Sequence, residues 1–202
     1  MSEGQSLSMF PTANAALGTA QAASLTPVLE SLPDPLQGKD FLAHEFLLWL
    51  WFRSERDFGA FNLPGGPVDL WFDDRMHFLA QEEKRVSSAF NGGAPSTTPE
   101  ARLSILSGKV ISEARLGIRR GEHEWTFLLR VRGGDLQLHG LKIPAQLKEG
   151  LDEMVLERSH LLRVINEAIQ YLFELFVDER TDERWNDSVV PELTRWLMGE
   201  GG

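Results

Sequence analysis

Apolar residues in this chain fall into two different periodicities, and their order outlines the fold. From Asp40 to Arg56 the segment DFLAHEFLLWLWFRSER is apolar on nearly every side of a helical wheel. A helix of that kind is buried on most sides or lies at an interface. Asp40 is the expected N-cap. From Asp152 to Asp178 the apolar positions Leu161, Leu162, Ile165, Ala168, Ile169, Leu172, Phe173 and Phe176 follow the i, i+3, i+4 rule, with an acidic opposite face. This predicts a long amphipathic helix that covers a sheet. Between the two helices the period changes to two. VDLWF and MHFLA flank Asp73-Asp74-Arg75, which reads as a hairpin turn, and Lys84 to Phe90 adds a further strand. Thr98-Pro99 opens a short helix that Gly108 closes after Ser107. Val110 to Arg119, Trp125 to Arg132 and Leu136 to Ile143 then form an antiparallel meander. The expected class is α+β, a meander packed against the long C-terminal helix and the aromatic-rich helix.

The ends of the chain have a different character. Residues 1–38 are rich in Ala, Ser, Thr, Gly and Pro and predict a flexible or surface-docked arm. Within it Ala20 to Leu32 forms a short helix, stopped by Pro33 and Pro35. Residues 39–179 form the domain. Residues 180–202 form a tail with one short helix, Pro191 to Met198, that carries Trp196.

The aromatic helix has two readings. Phe46, Trp49, Trp51 and Phe52 are either the core of the domain or an oligomer contact, because rings of this size bury about 150–250 Å² each. No run of about 18 apolar residues occurs, so no membrane span is expected. The N-terminus has an early Glu3 and no basic stretch, unlike a signal peptide. With no cysteine in the sequence, a cytoplasmic setting is expected.

Charge changes the picture more than composition does. The net charge is −10, which opposes contact with phosphate backbones. Yet the segment from Arg102 to Lys142 holds eight basic residues against four acidic ones. Alternation places Arg115 and Arg119 opposite Leu116, and Arg130 and Arg132 opposite Phe127. A hairpin about Gly121 would bring both pairs onto one open sheet face. The candidate phosphate contacts are Arg115, Arg119, Arg120, Arg130, Arg132 and Lys142. The competing reading is a solvated face on which Glu113 and Glu124 pair with these arginines.

Catalytic patterns are missing. Gly108-Lys109-Val110 lacks the rest of a phosphate loop, and His123-Glu124 is not followed by the second histidine of a zinc protease. The five histidines, His44, His77, His123, His139 and His160, fall in five different elements, so no metal and no cofactor are expected. Asp73 and Asp74 are the only carboxylate pair with a case for metal-assisted chemistry, and Asx residues favour turns for local reasons.

Four segments in order resemble the RdgC family of recombination-associated proteins. They are FLLWLWFRSE (Phe46 to Glu55), PEARLSILSGKVISEARLGI (Pro99 to Ile118), EWTFLLRV followed by LHGLKIP ending at Pro144, and the amphipathic helix. The resemblance covers Gly38 to Asp178, the C-terminal part of that family. It implies a non-catalytic protein that binds duplex DNA without sequence preference, forms a ring-shaped homodimer and restrains strand exchange. This chain departs from the pattern in its Ala- and Ser-rich arm, its acidity and its extra C-terminal residues. The expected function is therefore nonspecific DNA binding linked to recombination or replication. The alternative is a protein-interaction or assembly subunit that keeps the fold and meets its partner through the acidic C-terminal face or the tails.

Overall fold

A computed structural model describes residues 7–8, 41–57, 60–80, 85–91, 99–132, 135–142 and 151–199. In chain order the elements are β1 (Leu7–Ser8), α1 (Phe41–Arg56), β2 (Ala60–Leu63), β3 (Gly66–Ala80), β4 (Arg85–Asn91) and α2 (Pro99–Leu106). They continue with β5 (Lys109–Arg120), β6 (His123–Arg132), β7 (Asp135–Lys142), α3 (Leu151–Thr181), a π-helical turn (Trp185–Val189) and α4 (Val190–Leu197). The class is α+β. The antiparallel strands lie in the order β1-β7-β6-β5-β3-β2, with β4 also paired to β3. The arm expected over residues 1–38, its helix and the Asp40 cap lie outside the described residues, apart from Leu7–Ser8, which pairs with β7.

The hairpin expected at Asp73-Asp74-Arg75 is not formed. The chain continues through these residues as one 15-residue strand. Its first half pairs with β2 and its second half with β4, while β5 lies along the other edge. The polar triplet is absorbed as a bulge, since Phe72 faces Leu116 while Met76 already faces Ala114. Such a bulge bends the strand and re-aims its side chains. The real turn is upstream, at Pro64-Gly65, and Gly66 follows it with φ +109°. That conformation suits glycine. The β5–β6 hairpin turns at Gly121 as the alternation required, with Arg119 opposite Glu124 and Glu113 opposite Arg130.

One side of the sheet is the core. Ala114, Leu116 and Ile118 of β5, with Trp125, Phe127 and Leu129 of β6, face α1 and α3. The aromatic helix is interior to the chain: Phe46, Trp49, Trp51 and Phe52 expose 0, 2, 0 and 3%. Of the two readings of these four residues, the core of the domain is the one the burial supports. Phe46 meets Phe173 and Phe176 of α3. Trp51 and Phe52 meet the ring of Trp196 of α4. His44 Nδ1 stands 2.7 Å from the Ile111 carbonyl and ties α1 to β5.

Residues 180–199 also need correction, because they are not a tail. The boundary set after residue 179 falls inside α3, and Trp185, Trp196 and Leu197 are buried. Glu55 of α1 gathers three donors, Trp51 Nε1 at 2.6 Å, Arg102 Nη2 at 2.7 Å and Trp196 Nε1 at 2.8 Å. This hub fixes α2 and α4 to the same end of α1. Among the described residues no helix is long and apolar enough to cross a membrane.

Candidate interaction surface

The sheet face opposite the core carries most of the arginines picked out in the sequence. Arg119, Glu124, Arg130 and Arg132 are exposed there, and Trp71, Arg115 and Leu128 are half-buried, so the face stands open. Alternation therefore brings Arg115, Arg119, Arg130 and Arg132 to one side.

The carboxylates come with them. Arg115 Nη1 donates to Asp74 Oδ1 at 2.7 Å. Arg119 donates to Asp69 Oδ2 through Nε at 3.0 Å and Nη2 at 2.6 Å. Arg130 Nε donates to Glu113 Oε2 at 2.6 Å, and Arg75 Nη2 stands 2.7 Å from Glu113 Oε1, in ionic contact but off the hydrogen-bond direction. Glu113 is buried beneath these two guanidiniums, with His77 Nδ1 3.4 Å from Oε1. Arg132 has Asp135 as its cross-strand neighbour. Three of the arginines thus spend their charge on carboxylates of the same face, and Arg75 spends its own on Glu113.

One candidate falls elsewhere, and another is placed by its register alone. Arg120 is corrected: its side chain lies against the Leu63-Pro64-Gly65 turn, beside α3, so it is not part of the open face. Alternation along β5 already separates position 120 from positions 115 and 119. Lys142 pairs with Thr126 in the register, and its side chain is outside the described residues.

The centre of the face is not charged. The Trp71 indole lies flat over Gly117, where a Cβ would stand 2.1 Å from its Cε2. Leu128 and Thr126 continue this apolar strip on β6. Two histidines lie beside the Glu113 cluster. Burial lowers the pKa of His77 below its ordinary 6.5, against the raising effect of Glu113 and with help from Arg75 and Arg130. Burial and the neighbouring Arg130 likewise lower His139.

Asp69, Arg75 and Trp71 are not singled out as functional residues by the sequence, and Asp74 is singled out only as half of an acid pair, not as the partner of Arg115. The alternation of β3 was a usable signal for Asp69 and Trp71. For Asp74 and Arg75 it was lost, because the bulge breaks the period of two. Asp74 is engaged with Arg115, so Asp73 and Asp74 do not stand as a free pair of acids. Among the described residues no three His, Asp or Glu side chains gather as a metal-binding group. The chain matches no protein-family model, no curated protein and no solved structure.

Proposed function

We infer that this chain is a non-catalytic protein-interaction subunit whose open sheet face receives a partner protein. One observation carries the reading: Arg115, Arg119 and Arg130 each hold a carboxylate of the same face, around a strip formed by Trp71, Thr126 and Leu128. A duplex gains its affinity from guanidiniums that replace its counterions. Guanidiniums already held by acids release little on binding. An apolar centre with tryptophan, rimmed by arginine and carboxylate in alternation, has the composition of a protein contact. Alternating charge there supplies register and partner choice more than affinity. The expectation of DNA binding rested on cations gathered apart from anions, and that separation does not hold on this face.

Two measurements test the reading. Fluorescence anisotropy with duplex DNA is expected to show no binding at low salt. Extracts of the source cells are expected to yield a protein held by the wild-type chain and released by Leu128→Glu, then reconstituted from purified components. Duplex binding abolished by Arg130→Glu would overturn the reading in favour of the DNA role that the family resemblance implies. Retention of every captured protein by Leu128→Glu would overturn the assignment to this face.

A further inference from the structure

The arginine that leaves the open face occupies a cleft of its own. On the helix side of the sheet, the β2–β3 turn and α3 border an open cleft of about 320 Å³. Its lining includes Pro64, Gly65, Arg120, Glu167, Tyr171 and Glu174. Arg115, Arg119 and Arg130 have carboxylate partners, whereas Arg120 makes no ion pair among the described residues. Its seat is shaped for it. A Cβ on Gly65 would fall 2.0 Å from Arg120 Nη2, so only glycine lets the guanidinium lie against the turn. The two acids are weakly engaged. Glu174 accepts from the neutral Gln170 amide at 3.2 Å, and Glu167 stands 3.9 Å from Arg163 on the exposed helix surface.

We propose that this cleft binds a free α-amino acid, with basic ones preferred. The guanidinium offers paired donors to a carboxylate. The carboxylates of Glu167 and Glu174 accept from an ammonium group, and Pro64 and the Tyr171 ring supply apolar walls. One cation and two anions leave the lining with a single excess negative charge. A molecule with one carboxylate and two amino groups balances it. The volume is at the small end of ligand pockets, about 300–1,000 Å³, which suits an amino acid better than a nucleotide. The site is independent of the open face.

The test is a nuclear magnetic resonance titration of the full chain with L-lysine and with cadaverine, which is lysine without its carboxylate. Lysine is expected to shift the amides of Gly65, Arg120 and Tyr171 saturably and to bind at least about tenfold tighter than cadaverine, the worth of one charged hydrogen-bonded contact. Arg120→Gln should erase that preference. Gly65→Ala keeps the charge but displaces the guanidinium, and should erase it too. No saturable shift at the cleft, equal affinity for the two amines, or a preference that survives Arg120→Gln would overturn the proposal.

Discussion

Arg180 of α3 donates through Nε to Glu45 Oε2 of α1 at 3.0 Å, and both residues are buried. The pair joins the two helices at the centre of the helix layer. Its geometry is incomplete, since Arg180 Nη1 and Nη2 have no acceptor among the described residues. Desolvation outweighs the pull of Arg180 and raises the Glu45 pKa. Removing one partner leaves a buried uncompensated charge, which costs about 3–5 kcal/mol, whereas replacing both with apolar residues is close to neutral. Glu45→Ala should therefore lower the denaturation midpoint strongly. Glu45→Leu combined with Arg180→Met should recover most of the loss. A double variant as unstable as the single one would show that the pair is worth more than its desolvation.

Gly117 is the only residue type that fits beneath Trp71. Gly117→Ala places a methyl 2.1 Å from the indole on a paired strand that cannot yield. Overpacking of this kind costs about 1–3 kcal/mol. Trp71→Leu in the Gly117→Ala background should recover part of that loss, because the two sites share one contact. Strict additivity of the two changes in chemical denaturation would contradict the packing described here.

The α+β class, the meander register and the burial of α1 were all legible, because each depends on a local period or turn. Glu113 lies opposite Arg130, and Arg119 opposite Glu124, as a hairpin about Gly121 dictates. What alternation did not reveal is which anions share the face. Asp69 meets Arg119 as its cross-strand neighbour on β3, 50 residues away, a pairing that needs the strand order; Asp74 reaches Arg115, 41 residues away, from within a bulge that breaks the period of two. The polar triplet Asp73-Asp74-Arg75 was read as a turn because its chemistry is that of a turn. It stays in the strand because partners lie on both edges. The C-terminal residues were read as a tail since polar residues follow Glu179, yet widely spaced tryptophans suffice to bury them.

Stability should depend on pH through the histidines beside Glu113. Both His77 and His139 have folded pKa values below 6.5, so the unfolded chain takes up protons first as the pH falls. Stability then declines as pH drops below about 6.5 toward the folded values. Glu45 acts in the opposite sense. Its raised pKa gives stability that is fully present below 4.5 and lost as pH rises through the folded value. The double variant His77→Gln, His139→Gln should lose less stability than wild type between pH 7 and about pH 5.5. Equal losses in denaturant titrations at the two pH values would remove the histidines from this account.

The carboxylates of the open face decide what it attracts, and removing them should change its ligand. Asp69→Asn, Asp74→Asn and Glu113→Gln together release Arg119, Arg115, Arg130 and Arg75 from their acids. Three of these arginines are a third or more exposed or close to it, so they turn to solvent and the stability loss stays modest. The face then carries a surplus of guanidiniums on one open side, the arrangement that phosphate contact requires. The triple variant should gain duplex affinity that falls with salt, with a slope of log K on log salt of about −2.7 for about three phosphates at 0.9 each. Wild type should show neither the affinity nor the slope. If the triple variant stays as inert toward duplex as wild type, then charge pairing is not what keeps polynucleotide off this surface. The shape of the sheet would be the reason instead.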